Sequence, residues 1–250
     1  MKTEKLVSKV TNYILRKVGK CLGDYQMIDN GDRILVGVSG GKDSITLIDA
    51  LAEKRRVLPV KFMLYTVRVE FTTAAVNLDN NLEVKIIDDY LKSITEGHFV
   101  IRQNLPETTK KLSCFWCSWN RRKQIFLLAK KLNCRKVALG HTLDDIVVTF
   151  LMNLFYHGEI STMPPKVVMF NGEIVLIRPL AYVSEKEVVE YIRAKNLPVK
   201  QTMCPVYDTE KQFQRRKYLK ELIDQLSQYW PNIRMNIFNS LKRVKDEYLV

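Results

Sequence analysis

The stretch Arg33-Ile-Leu-Val-Gly-Val-Ser-Gly-Gly-Lys-Asp-Ser44 runs from an apolar segment straight into a glycine-rich turn. Arg33 to Val38 reads as a short buried strand, and from Ser44 to Leu51 the apolar residues Ile45, Leu47, Ile48 and Leu51 return at helical spacing. A glycine loop between a strand end and a helix start lets the backbone approach an anion while the helix points its positive end at it. Ser39 and Ser44 add hydroxyls and Lys42 a charge. The loop is not a Walker P-loop: only three residues separate Gly37 from Gly41, and Asp43 rather than Ser or Thr follows Lys42. A dinucleotide GxGxxG fingerprint is absent too, so the loop predicts phosphate binding of another kind.

Outward from this loop the pattern alternates. Leu6 to Leu22 reads as an amphipathic helix, Val60 to Val67 as a strand, Leu82 to Ile94 as a helix and Phe99 to Arg102 as a strand. After a loop with Pro106 come a helix from about Asn120 to Leu132, a strand Lys136 to Leu139 and a helix from about Asp144 to Tyr156. Strands separated by helices predict an α/β fold, a parallel twisted sheet with helices on both faces. Ligands of such sheets sit at the carboxyl ends of the strands, where both the loop at Ser39 and the segment Gly140-His141 fall. Lys166 to Ile177, turning at Asn171-Gly172, reads as a hairpin, and Ser184 with Glu187 fits a capping box opening a helix. Asp208 to Tyr248 is basic and helical. The expected organisation is an N-terminal helix (1–24), a nucleotide-binding catalytic unit (25–160) and a hairpin with a basic helical C-terminal extension packed on it (161–250).

The chain of 250 residues carries 40 Lys and Arg against 27 Asp and Glu, a net charge of +13. That surplus points to a polyanionic partner, nucleic acid before an anionic membrane. The apolar run Ile146 to Tyr156 is too short for the roughly 20 residues of a spanning helix, and the N-terminus has no signal-peptide pattern. We therefore expect a cytoplasmic protein with no membrane partner. Five cysteines in such a chain argue for thiol or metal chemistry over disulfides. Cys114-Phe-Trp-Cys117 puts two thiols within reach of one centre, and Cys204 could add a third; a redox pair, half a zinc site and half an iron-sulfur site all remain open. Cys21 and Cys134 read as buried small residues.

Ser39-Gly-Gly-Lys-Asp-Ser44 resembles the PP-loop signature of ATP pyrophosphatases, HUP-like (adenine nucleotide alpha hydrolase-like) enzymes that adenylate a substrate and release pyrophosphate. Over nearly its whole length the chain is similar to the tRNA 2-thiocytidine synthetase (TtcA) family and its TtuA-type relatives. The likeness rests on Tyr25-Gln-Met-Ile-Asp-Asn-Gly-Asp32, the PP-loop, Cys114-x-x-Cys117-Ser followed by Arg121-Arg122, and Leu139-Gly-His-x-x-Asp-Asp145. It continues through Asn153-Leu-Phe-Tyr-x-Gly158, Met163-Pro-Pro-Lys166, Ile177-Arg-Pro-Leu-Ala181 and Cys204.

The resemblance implies that Ser39, Gly40, Gly41, Lys42, Asp43 and Ser44 bind ATP beside Gly140 and His141, and that Cys114, Cys117 and Cys204 hold a [4Fe-4S] cluster. It further implies Mg²⁺, catalytic roles for Lys42, Asp43, Asp144 and Asp145, tRNA as substrate, and a cysteine desulfurase or other sulfur donor; a homodimer stays open. Thr142 and Asp145 also fit a plain helix cap. Arg121, Arg122 and Lys123 after the cysteine pair, and Arg215 and Arg216 after Cys204, are expected to meet RNA phosphates. Three departures stand out: Trp119 where a basic residue is expected, Thr142 in place of a second histidine, and Tyr65 to Thr73 in place of the family's usual loop beside the adenine. A tRNA 2-thiouridine synthetase, a non-catalytic iron-sulfur RNA-binding protein and an ATP-dependent ligase of small metabolites are the rival readings.

Overall fold

A computed structural model describes residues 2–72, 82–104, 114–200, 211–245 and 247. The first helix, α1 (Lys2–Asp24), is followed by β1 (Arg33–Gly37), α2 (Lys42–Val57), β2 (Met63–Thr72), α3 (Leu82–Ile94) and β3 (Gly97–Asn104). Then come α4 (Cys114–Lys131), β4 (Lys136–Ala138), α5 (Leu143–His157), β5 (Lys166–Met169), β6 (Ile174–Ile177) and α6 (Glu185–Lys195). Two helices, α7 (Lys211–Tyr229) and α8 (Ile233–Ser240), complete the described order. No described helix is long and apolar enough to cross a membrane.

The sheet has six strands in the order β3-β2-β1-β4-β6-β5, parallel except for β5. The chain leaves β1 toward β2 and β3, then returns to the other side of β1 for β4. Connections therefore diverge at the carboxyl ends of β1 and β4, a switch point where doubly wound sheets open a crevice.

Side chains alternate across this sheet, as extended backbone requires. Ile34 and Val36 pack on the face covered by α1, α2, α3, α5 and α6, whereas Leu35 packs with Val137, Ile125 and Ala129 beneath α4. One face is thus thickly covered and the other mainly by a single helix. On the thick side, Asp49 of α2 accepts hydrogen bonds from Tyr90 (2.6 Å), Tyr191 (2.5 Å) and Lys195 (2.6 Å), fixing α2 to α3 and α6. A buried carboxylate is tolerable only with such partners.

Three elements differ from the sequence reading. β2 begins at Met63 and runs through Tyr65–Thr72, so the segment that departs from the family's loop is strand up to Thr72; Thr73 lies outside the described residues. Val67, Val69 and Phe71 face α4, while Thr66 and Arg68 turn to the other face, where Arg68 donates to Asp88 at 2.7 and 3.1 Å and His98 bonds Thr66 and Asp88. The strand expected to end at Val67 runs five residues further because buried ion pairing accommodates Arg68. Second, α4 starts at Cys114 rather than near Asn120, held on β2 by the Trp116–Phe71 ring contact at 5.7 Å. Third, the hairpin, expected to pack on the sheet-bearing unit, is part of the main sheet: β6 pairs parallel with β4 and β5 forms the edge.

Candidate active site

The switch point seats the glycine loop. Gly41 precedes α2, whose first turn carries Lys42 and Asp43. Gly40 adopts φ +85°, which side-chain-bearing residues rarely take. The loop is braced by its own hydroxyls: Ser44 Oγ donates to the Gly41 carbonyl at 2.9 Å and accepts from the Ser39 amide at 3.2 Å. The Lys200 amide pins the outer side by donating to the Gly40 carbonyl at 2.8 Å. Across the crevice Gly140 follows β4, and a Cβ there would stand 3.0 Å from the Asp43 carbonyl group. Glycine at 140 lets the chain leaving β4 approach the first turn of α2 this closely.

Two connected compartments open around the loop, sharing Asp43 and Asp145. The first, about 320 Å³, is bounded by Ser39, Ser44, Gly140 and His141 on the sheet edge, by Ser118, Arg121 and Arg122 of α4, and by apolar Val67, Val69, Ile125 and Leu139. The second, about 270 Å³, collects Lys42, Arg216, Lys217 and Lys220 around Asp43, Asp144, Asp145 and Glu185. The first joins the loop hydroxyls and two arginines to an apolar wall; the second sets four cations against four carboxylates.

Lys42 Nζ stands 2.8 Å from Glu185 and 3.2 Å from Asp43. Burial alone would lower its pKa, but these carboxylates outweigh burial and raise it, so Lys42 stays charged. Burial raises the Asp43 pKa against the opposing pull of Lys42. Asp43 Oδ1 is buried without a hydrogen-bond partner, an acceptor that a cation or a donor group would satisfy.

The following acidic pair splits in two. Asp145 closes the capping box of α5: its Oδ2 accepts from the Thr142 amide at 2.9 Å, and its Oδ1 meets Arg216 at 3.5 Å on the crevice side. Asp144 is buried with both oxygens engaged, accepting from Arg234 Nε at 2.6 Å and the Glu185 amide at 2.7 Å. It ties α5 to α6 and α8. His141 Nδ1 accepts from Arg178 Nε at 3.2 Å; because that nitrogen can only donate, the His141 proton sits on Nε2.

Burial, then Arg178, holds the His141 pKa down to about 4 against the pull of Asp145, while burial and then Arg122 bring Arg178 to about 10. His141 is expected to titrate near pH 4 rather than near the free value of about 6.5. Because the folded-state value is the lower one, the unfolded chain binds more protons in that window, and this stability contribution is lost as pH falls from about 6.5 to 4. Two-dimensional NMR of the imidazoles checks this; a His141 midpoint near 6.5 would show that neither burial nor Arg178 bears on the ring.

Of the basic residues singled out in sequence, Arg121, Arg122 and Arg216 line the compartments. Lys123 lies over the Trp119 ring at 5.4 Å and Arg215 over Tyr156 at 4.4 Å, both away from them. Cys117 is half-buried on the first turns of α4, and Cys114 opens that helix. Cys204 lies outside the described residues. Cys21 and Cys134 are buried, and burial raises both thiols, Cys21 to about 12, which keeps them inert. Sequence reading missed Glu185, Lys220, Arg178 and Arg234. Glu185 follows a helix cap, where an acid is ordinary, and Arg178 stands in a quoted motif without a role.

Residues 10–215 match the PP-loop domain family. The chain is 36% identical over 244 residues to a tRNA-cytidine(32) 2-sulfurtransferase of Ralstonia pickettii, covering 93% of this chain and 73% of that protein. The chain belongs to the PP-loop family, within its tRNA-cytidine(32) 2-sulfurtransferase branch. A like-named protein of Verminephrobacter eiseniae is 34% identical over 260 residues, covering 100% of this chain and 78% of its own. Among solved structures, the U34-tRNA thiolase NcsA from Methanococcus maripaludis with its [4Fe-4S] cluster superposes with a TM-score of 0.76 at 22% identity, covering 94% of this chain and 78% of that one. That likeness carries the PP-loop fold, a mostly parallel α/β sheet.

Proposed function

We propose that this protein is an ATP-dependent tRNA thiolase that adenylates the C2 oxygen of a cytidine and replaces it with sulfur, giving 2-thiocytidine, AMP and pyrophosphate. The observation that carries the reading is one crevice in which the PP-loop faces the helix that begins with the cysteine pair: Ser39, Asp43 and Ser44 share a wall with Ser118, Arg121 and Arg122. Its relatives are named for cytidine 32 of tRNA, and we take the same base for this chain.

In this reading the pyrophosphate portion of ATP lies in the loop of Ser39, Gly40, Gly41 and Ser44, at the N-terminus of α2. The cytidine C2 oxygen attacks the α-phosphorus, the bond to pyrophosphate breaks, and the oxygen becomes part of a good leaving group. A sulfide equivalent then attacks C2, and AMP departs with that oxygen. Lys42 is charged and poised to exchange Glu185 for the departing pyrophosphate, stabilising charge as it develops. His141 Nε2–H is a neutral donor for a phosphate oxygen. Asp43, with its unpartnered buried oxygen, and Asp145 fit a Mg²⁺ ion held by oxygen ligands. Asp144 positions α6, and with it Glu185.

Cys114, Cys117 and Cys204 would hold the [4Fe-4S] cluster, which when bound supplies sulfur beside the activated carbon. Cys114 and Cys117 stand three residues apart in the first turn of α4, and the positive end of a helix favours thiolates. Arg121, Arg122 and Arg216 meet the tRNA backbone at the crevice, with Lys123 and Arg215 further out. The catalytic unit of 25–160 is completed by 161–250, which contributes two strands of the sheet, Glu185 and the basic α7. The protein would act in the cytoplasm, supplied by a cysteine desulfurase. Nucleoside mass spectrometry of tRNA from cells with and without the protein tests this. 2-Thiocytidine is expected to vanish and to return on complementation; its persistence would sink the reading, and loss of 2-thiouridine instead would move the target to uridine.

A further inference from the structure

We propose that the groove between α4 and the β5–β6 turn is a landing track for a single-stranded stretch of RNA that leads into the catalytic crevice. The inference rests on the thiolase reading and adds the surface that carries the substrate. Among the described residues α4 is the one long helix on its face of the sheet, and between it and the hairpin end lies a hollow of about 930 Å³. Its lining includes Trp119 and Phe170, 54% and 55% exposed, and the cations Arg122, Lys123, Lys130 and Arg135 against the single carboxylate Glu173.

Each part matches a property of single-stranded RNA. Exposed rings offer stacking platforms for unpaired bases, and flanking cations follow the phosphates. Phe170 is held outward at some cost: it sits at φ +52°, a region that bulky residues avoid, just before Asn171 (φ +53°) and Gly172 (φ +93°). Asn171-Gly172 could turn the chain by itself, so the strained Phe170 is more than the turn requires. Phe126 supports the ring edge-on at 5.5 Å, and Arg135 Nε holds the turn by donating to the Gly172 carbonyl at 3.0 Å.

Continuity ties the groove to the chemistry. Arg122 lines both this groove and the compartment at Ser39 and His141, so a strand lying along α4 would pass directly from one to the other. A second copy of the chain is the competing occupant. A two-fold contact through this face would bring its cations against themselves, whereas RNA brings the opposite charge.

The test uses the full chain, an unmodified tRNA transcript and fluorescence anisotropy across a salt series. Phe170→Gly removes the ring and relieves the left-handed backbone, so it is expected to keep the unfolding midpoint within a few degrees while weakening tRNA binding about ten-fold. Arg135→Glu is expected to lower the slope of log affinity against log salt by about one. Wild-type binding strength and slope in both variants would overturn the groove while leaving the thiolase reading intact. Failure of the wild type to bind tRNA would overturn both. Sedimentation showing that Phe170→Gly converts a dimer to monomer with unchanged tRNA affinity would give the groove to a second copy.

Discussion

Lys42→Ala is expected to reduce tRNA-dependent AMP release from ATP by about 10²–10³-fold, the usual loss when one preorganised charge is removed from a site of developing negative charge. The geometry says why the loss falls on chemistry rather than folding. Lys42 is held between Glu185 at 2.8 Å and Asp43 at 3.2 Å, and Glu185 keeps Lys220 as a second partner when Lys42 is gone. The loop itself is braced by Ser39, Ser44 and Lys200, none of which depends on Lys42. The unfolding midpoint should therefore stay close to that of the wild type. Single-turnover AMP formation with saturating ATP and tRNA separates this from weakened nucleotide binding, and wild-type rates would show that the loop does not hold the pyrophosphate.

Cys117→Ala is expected to abolish thiolation and strip the protein of iron after anaerobic reconstitution, and Cys114→Ala and Cys204→Ala should do the same. Cys134→Ala is the control. Its thiol is buried beneath α4 at the start of β4, with its pKa raised by burial, so it offers no ligand. It should keep full iron content and activity, with at most a modest stability loss. Iron per chain and the visible absorption of the cluster are read beside thionucleoside formation, so a folding defect is not mistaken for ligand loss. A Cys117→Ala protein with full iron content would remove Cys117 from the ligand set.

Much of the fold is legible locally. The strand before the glycine loop and α3 at Leu82–Ile94 follow from apolar periodicity, and the capping boxes at Thr142–Asp145 and Ser184–Glu187 follow from spacing, because all these rest on neighbours within a few residues. The errors share the opposite cause. Arg68 continues the strand because Asp88, on a helix further along, and Glu70 neutralise it. The first turn of α4 lacks strong helix formers and is held by Trp116 against Phe71. The hairpin is read as packed on the unit 25–160, and only the bonding of its second strand to β4 places it in the sheet itself.

By itself the sequence determined a nucleotide loop between strand and helix, the alternation that makes a parallel sheet, the cysteine pair and the family likeness, since residue type and spacing encode all four. Only the tertiary structure decided which charges meet. It turned Asp144 inward onto Arg234 and left Asp145 on the crevice, although the two are adjacent and chemically identical. It brought Glu185 to Lys42 and Arg178 to His141, and it opened a hollow between α4 and the hairpin end. The physical reason is range: a side chain's spacing along its own element is local, whereas its ionic partner is set by how the sheet order folds distant elements onto one edge.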